Sequence, residues 1–449
     1  MQKQFPNTPS RRRFLGASLG AAGSLNILNG YVAGQGTSAN GKLNIAFIGA
    51  GGRANANIKG CDEAGQNIYA LCDVDKVRSN GSMSKYPDAK RYTDWREMLD
   101  AEGDKVDAVV VSTPDHLHAI AAMAAIKMGK HVYVEKPLTL TISEARALHK
   151  AANEKGVCTQ MGNTGHANEG ARRTNEYIQS GALGDIEQVY CRTNRPVWPQ
   201  DIVRPAAEPV PPSLDWNLWL GPASDKSYSS QVVPFKWRGF LDYGTGALGD
   251  MGAHIIDHPV WALDLGLPTK VTVEKADRKM LGAEKDTHPL SCIINYEFAA
   301  KGGRGPIKLQ WRDGEYQISR PDGMRGDQKV PDNGCVYVGS EHAMMHGSHG
   351  GNPTIIDADF EKFAAPEKTM ERSPGHYKEW VEAIQTGDPT KAKSNFDVAA
   401  PLTETLLLGV IGSIMGAGTE LTWDPETMTT GNAEADKWVQ HTYRTGWEL

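Results

Sequence analysis

A short apolar run, Leu43-Asn44-Ile45-Ala46-Phe47-Ile48, passes without a spacer into Gly49-Ala50-Gly51-Gly52-Arg53-Ala54 and then into a helix-compatible stretch reaching about Cys61. Few folds accept that order. A strand that ends in a glycine turn and enters a helix presents backbone N–H groups to an anion: Gly49 permits the tight turn, Gly51 lets the backbone approach a diphosphate, and Ala54 allows close helix packing. Alone, the motif is weak. It gains weight from the next strand, Asn67 to Cys72, which ends on Asp73, 24 residues after Gly49 and where a carboxylate accepts both hydroxyls of a ribose. A carboxylate there also repels a 2′-phosphate by about 4 kcal/mol at 4 Å and an effective dielectric near 20, so NAD is favoured over NADP. Two other readings of this stretch stay open: Asp73 starting a turn with Asp75, or Lys76 and Arg78 bending back to a phosphate.

The alternation continues with a helix near Asp94 to Asp100, a strand Ala108 to Ser112, a helix His116 to Met128, a strand His131 to Val134, a helix opened by the capping box Thr141-Ile142-Ser143-Glu144, and a strand Val157 to Gln160. Strands separated by helices predict a parallel, doubly wound α/β sheet. Two loops at the carboxyl ends of these strands carry the chemistry: Ser112-Thr113-Pro114-Asp115-His116-Leu117-His118 and Glu135-Lys136-Pro137. Ligands gather at such edges, so Thr113, Pro114, His116, His118, Glu135 and Lys136 join Gly49, Gly51, Gly52, Arg53 and Asp73 as candidate cofactor contacts.

The chain has 449 residues with 48 Lys and Arg against 54 Asp and Glu, and its first 40 residues hold four cations, Lys3 and Arg11 to Arg13, and no acid. The remainder is net −10, which disfavours a nucleic acid partner. Ser10-Arg11-Arg12-Arg13-Phe14-Leu15 followed by an uncharged run rich in Ala, Gly and Leu reads as a secretory leader of the bacterial twin-arginine type over residues 1–39. That predicts a periplasmic protein exported with the twin-arginine machinery. No later stretch reads as a membrane span. The six cysteines show no Cys-x-x-Cys spacing and read mostly as small core residues, although an oxidising compartment would permit a bridge that the sequence does not assign.

Gly49-Ala50-Gly51-Gly52-Arg53, Asp73, Thr113-Pro114-Asp115-His116-Leu117-His118 and Glu135-Lys136-Pro137 together resemble the glucose-fructose oxidoreductase, inositol dehydrogenase and rhizopine catabolism (Gfo/Idh/MocA) family. The resemblance extends through Gly162-Asn163-Thr164-Gly165-His166, Ile178 to Gly184, and Gly249-Asp250-Met251-Gly252-Ala253-His254-Ile255-Ile256-Asp257. It implies a Rossmann domain over residues 40–160 and an α+β domain over 161–449 with an open, mostly antiparallel sheet, its last helices packing back on the first domain. The residues agree: Ile186 to Arg192, Lys270 to Lys275, Ser291 to Phe298, Ile307 to Trp311 and Cys335 to Val338 all read as strands. Ahead of Asp250 runs an irregular excursion with six prolines between Pro196 and Pro212 and four tryptophans, Trp198, Trp216, Trp219 and Trp237. Flat aromatic faces suit a sugar ring, and a loop staple or a dimer contact suits them equally.

From Asp250 the chain reads as a helix, with Asp250, His254 and His258 in one row. The resemblance implies that His254 takes a hydroxyl proton as hydride leaves the carbon, that Lys136 orients and polarises the oxygen, and that Asp250 holds the sugar or Lys136. His166, Asn168, Asn194 and Arg195 are secondary candidates for substrate hydroxyls or a carboxylate. His342, His346 and His349 have metal-like spacing, but nothing in the family pattern demands a metal. The expected function is an exported NAD(P)-dependent sugar or polyol oxidoreductase. A periplasmic enzyme has no pool of free NAD, so the cofactor is expected to stay bound. Two other readings remain: a redox-neutral NAD-dependent glycosidase working through transient C3 oxidation, kept open by Tyr243-Gly244-Thr245-Gly246, and a non-catalytic sugar or nucleotide sensor. The family habit of packing open sheets face to face implies a homo-oligomer.

Overall fold

The structure, a computed structural model, describes residues 41–279, 286–356 and 363–449. The leader lies outside the described residues. Six strands, β1 (Asn44–Ile48), β2 (Asn67–Cys72), β3 (Lys90–Tyr92), β4 (Ala108–Val111), β5 (His131–Val134) and β6 (Thr159–Met161), form one sheet in the order β3-β2-β1-β4-β5-β6, and every pairing is parallel. Chain order reverses beside β1, so the carboxyl ends of β1 and β4 flank the crevice where such sheets bind ligands.

Both faces of this sheet are covered, and successive residues serve different cores. Ala46, Ile48, Val109, Val111, Val132 and Val134 face one cluster, with the helices Asp115–Lys127 and Ile142–Lys155. Ile45, Phe47, Val110 and Tyr133 face another, with the helix Ala54–Glu63. That is why these strands are apolar throughout rather than alternating. Local signals set the helix starts: the Asp75 side chain accepts from the N–H groups of Val77 and Arg78, Asp94 accepts from that of Arg96, and the Glu144 carboxylate accepts from Thr141 N at 3.0 Å.

The second sheet has eight strands: β7 (Ile186–Arg192), β8 (Lys270–Asp277), β9 (Ser291–Phe298), β10 (Ile307–Arg312), β11 (Gly334–Gly339), β12 (Ala343–Gly347), β13 (Thr354–Ile355) and β14 (Glu420–Thr422). Their order is β13-β12-β11-β7-β10-β9-β8-β14, antiparallel except for β7 with β10. On β10, Ile307, Leu309 and Trp311 are buried while Lys308, Gln310 and Arg312 turn away, the alternation of a sheet with one covered face. The five strands read from the sequence are all present. The short β12, β13 and β14 were not foreseen.

Two expectations need correction. The helix carrying Asp250 begins earlier, at Gly246, and runs to Ile255; the chain turns at Ile256 before a second helix, Asp257–Ala262, so His258 belongs to a different element from Asp250 and His254. One later helix, Phe396–Met415, is long and apolar enough to cross a membrane, yet almost all of it is buried in the fold. It was overlooked because Pro401, Thr403, Glu404 and two glycines interrupt its apolar run. The six cysteines are all buried and free, as small core residues, and Cys191 and Cys335 sit opposite one another on β7 and β11 with their sulfurs 3.5 Å apart.

The terminal helices return to the first sheet. Tyr377 stacks on Tyr133 of β5 and Trp380 packs edge-on against it. Arg172, 2 % exposed, donates to the carbonyls of Glu371 and His166 and to Glu379 Oε1 at 3.0 Å, tying the helix Glu169–Gln179 to the helix His376–Thr386. Removing one member of a buried pair leaves the other charge uncompensated, so Arg172→Met should cost about 3–5 kcal/mol, read from urea unfolding followed by tryptophan fluorescence.

Burial also governs the histidines. It holds His116 and His258 down to about 3, and His131, His288 and His376 down to about 4. The unfolded chain therefore binds more protons below about 6.5, and stability is complete above that value and lost as pH falls toward the folded-state values. At pH 5 each such histidine removes about 2 kcal/mol. Tm measured by calorimetry should be level from pH 7 to 8 and fall steeply between pH 6.5 and 5.

Candidate active site

A cavity of about 520 Å³ opens at the carboxyl ends of β1, β2, β4 and β5, closed on its other side by the helix Gly246–Ile255 and the Pro- and Trp-rich excursion. Gly49, Gly51, Gly52, Arg53, Asp73, Thr113, Pro114, Glu135, Lys136, Arg195, Asp250 and His254 all line it. The glycine turn is tight: Gly49 has φ +88°, and a Cβ there would lie 2.8 Å from the Ser112 carbonyl oxygen. A Cβ on Gly51 would meet Arg78 Cγ at 2.7 Å. Asp73 Oδ2 accepts from Ala50 N at 2.8 Å and Oδ1 from Asp75 N at 2.9 Å, which leaves each oxygen a further lone pair toward the cavity. Burial pushes the Asp73 carboxyl up, against the pull of these N–H donors. Thr113 Oγ1 is buried with no hydrogen-bond partner. A glycine cradle without room for a Cβ, a carboxylate with spare acceptors and an orphaned hydroxyl on one cavity fit a dinucleotide.

Arg53 Nε donates to Glu135 at 2.8 Å, and Asn57 donates to the same oxygen at 3.0 Å; the guanidinium holds the Glu135 carboxyl below its ordinary value despite burial. Beyond this pair stands the central contact. Lys136 Nζ donates to Asp250 Oδ1 at 2.7 Å and to the Asp250 carbonyl at 2.9 Å, and Arg238 Nε donates to the same carboxylate oxygen at 3.2 Å. Burial would raise the Asp250 carboxyl, but the two cations outweigh it and hold it low. An ammonium has three N–H groups, so Lys136 keeps one for a ligand.

His254 lies one helical turn from Asp250, its ring stacked on that of His349 with centroids 3.9 Å apart. Burial and the nearby Lys136 hold it well below its ordinary value, so it is neutral at pH 7 and accepts protons. His349 reaches the cavity through a turn with φ +57°, and its backbone N–H donates to the His254 carbonyl at 3.0 Å.

Four candidates lie off the cavity. The His116 ring is wedged between Trp219 and Tyr243, with Nε2 3.0 Å from the Trp219 carbonyl. His118 bridges two loops, its ring nitrogens each 2.9 Å from a carbonyl, one of Pro137 and one of Thr113. His166 lies 2.9 Å from Asp257 and stacks on Trp261. Asn194 is exposed, its backbone N–H on Asn333. The rings of His116, His118 and His166 are held by these wall contacts, while His116 Nδ1 has no hydrogen-bond partner. Asn168 donates to the His349 carbonyl at 2.7 Å, and His258 accepts from Gly350 N at 2.8 Å. His342, His346 and His349 have separate surroundings: His346 Nε2 is 3.0 Å from the Tyr337 hydroxyl, and His342 packs edge-on to Phe363. Among the described residues no group of three His, Cys, Asp or Glu side chains converges for a metal.

Sequence reasoning missed Arg238 and the cavity role of His349; Arg78, read above as a residue that bends back to a phosphate, lines the cavity beside Gly51. Trp219, Trp237 and Phe235 from the excursion also line the cavity. The aromatic density of that stretch was the available signal.

Residues 43–163 match the profile described as an oxidoreductase family with an NAD-binding Rossmann fold, and residues 194–286 match the C-terminal alpha/beta domain of the same family. The scyllo-inositol 2-dehydrogenase (NADP(+)) IolW of Bacillus subtilis is 28% identical over 204 residues, 45% of this chain and 47% of that protein. The levoglucosan dehydrogenase of Pseudarthrobacter phenanthrenivorans is 31% identical over 165 residues, 37% of this chain and 34% of that protein. The alignment thus spans half or less of these curated relatives. The WlbA dehydrogenase of Bordetella pertussis, solved with NADH and UDP-GlcNAcA, shares the fold at a TM-score of 0.60 and 17% identity, covering 85% of this chain and 99% of that one. With both of its domains matched and its glycine turn, Lys136, Asp250 and His254 on one cavity, the chain belongs to the Gfo/Idh/MocA oxidoreductase family.

Proposed function

We propose that the chain is an NAD(P)-dependent dehydrogenase acting on a hydroxyl of a sugar or polyol, with NAD the preferred cofactor. The observation that carries this reading is that the Lys136–Asp250 pair and the neutral His254 face the same cavity as the glycine turn and Asp73. The names of the inositol and levoglucosan dehydrogenases among its relatives support the substrate class. When bound, a nicotinamide dinucleotide supplies the hydride acceptor. The chain supplies the rest. Lys136 Nζ, anchored by two hydrogen bonds to Asp250, turns its remaining N–H to the substrate oxygen and stabilises negative charge developing there. The His254 ring takes the hydroxyl proton, and its stack on His349 holds its plane fixed. Trp219 and Trp237 offer flat walls to the ring of a sugar.

The cation-only leader supports export by the twin-arginine route to the periplasm, with the cofactor retained and reoxidised in place by hydride transfer to a second sugar or other acceptor. The outer face of the second sheet, where Gln310 donates to Asn295 and to Glu274, is the surface proposed to meet a second copy.

Lys136→Met and His254→Gln should each lower kcat/KM for sugar oxidation by roughly 10²- to 10⁴-fold while NADH binding, read by quenching of tryptophan fluorescence, is kept. Retained oxidation in both variants would overturn the assignment. Asp73→Ser removes the charge that repels a 2′-phosphate, so the ratio of affinities for NAD over NADP, read by quenching of tryptophan fluorescence, should drop by roughly 10- to 1,000-fold.

A further inference from the structure

Arg78 lies against Gly51 and Gly52 at the nucleotide end of the cavity, and each cation around the inner end is paired with a carboxylate, with one exception. Arg53 is paired with Glu135, and Lys136 and Arg238 share Asp250. Asp115, which also lines the cavity and lies within electrostatic reach of Lys136 and Arg238, is already hydrogen-bonded to Thr245 N and Oγ1. Arg195 is the exception. Its guanidinium lines the cavity, its Nε is buried without a hydrogen-bond partner, and among the described residues no acid is paired with it. Its backbone is fixed just past the end of β7: the N–H donates to Thr193 Oγ1 and the carbonyl accepts from Gly314 N at 2.7 Å. The side chain is thus set on a rigid frame facing the space beside His349, which feels the charges of Lys136, Arg53, Asp250 and Arg195 together.

A half-buried guanidinium without an internal anion is satisfied best by a carboxylate, whose two oxygens match its planar fork. One unpaired positive charge matches one negative charge; a phosphate dianion would call for a second free cation. We infer that the substrate is an acidic sugar, a hexuronate or a hexuronide, whose carboxylate is held by Arg195 while the hydroxyl to be oxidised lies on Lys136 and His254. This rests on the dehydrogenase reading above and narrows it. A neutral sugar would leave the Arg195 fork facing only hydroxyls, which costs affinity relative to the acid.

The test uses the purified full chain with methyl hexuronides of the gluco, galacto and manno series, the matching neutral methyl hexosides, and the hexose 6-phosphates. Turnover is read as NADH absorbance, and binding independently as quenching of tryptophan fluorescence. The acid should exceed its neutral partner by roughly 10- to 100-fold in kcat/KM, mostly through KM, and the 6-phosphates should show no comparable gain. Arg195→Gln should collapse that ratio toward one, and Arg195→Lys, which keeps the charge but loses the fork, should keep part of it. Neutral sugars handled as well as acids, a preference for the phosphates, or a ratio unchanged in Arg195→Gln would each overturn the inference. If no NADH forms with any sugar, the fluorescence titration decides: acids that bind above neutral sugars through Arg195 uphold the carboxylate site while the dehydrogenase reading fails, and acids that do not bind overturn the site itself.

Discussion

The Asp250 carboxylate, mostly buried on the wall of the cavity, is the constraint around which the rest is arranged. An isolated buried charge costs several kcal/mol, so it must be met by cations and donors at short range. Here the answer comes from two directions. Lys136 arrives from the carboxyl end of β5 in the first sheet, and Arg238 from the excursion that precedes the helix bearing Asp250. The pair therefore joins the parallel sheet to the second half of the chain at the point where a substrate oxygen would lie. Because Lys136 also bonds to the Asp250 carbonyl, its ammonium is held by the backbone of a helix as well as by a side chain. The group proposed to meet substrate is preorganised by the joint that unites the fold.

The same low-polarity interior explains why histidines do two kinds of work. Where a ring has carbonyls around it, as His118 does between Thr113 and Pro137, it is a strut that ties neighbouring loops. Where it is buried beside a cation, as His254 is beside Lys136 with His349 against its face, it is kept neutral. Residue type is shared; surroundings separate the roles. This is also where the sequence was hardest to read. His116 and His118 sit in a loop that reaches the ligand crevice, and only the structure reveals that their rings turn inward to Trp219 and to the neighbouring loop.

The first half was legible because its signals are local. Turn glycines, the acid after β2, the capping pair Thr141 and Glu144, and Val109 to Val111 each state their structure within a few residues. Asp250 and His254 were legible because four residues make one helical turn. His349 was not, because it reaches His254 from a distant strand through a left-handed turn that no spacing rule describes. The helix Phe396–Met415 escaped for a different reason. Glu404 looks like a surface residue in the sequence, and its burial makes sense only once Arg146 and the Trp423 indole are seen to hold its carboxylate.

The excursion that closes the cavity carries a small core of its own, in which Leu214, Trp219, Tyr228, Val232, Trp237, Phe240 and Tyr243 pack together. Its two isolated bridges, Asp75 with Leu214 and Phe240 with Thr287, reach loops beside the sheets, and it contributes no strand to either sheet. A wall built this way adds side chains to the cavity without adding a strand to either ladder, and it is tied to the site through Arg238 on Asp250 and through Trp219 and Tyr243 around the His116 ring. In engineering terms the molecule is a chamber whose faceplate is bolted on at those points.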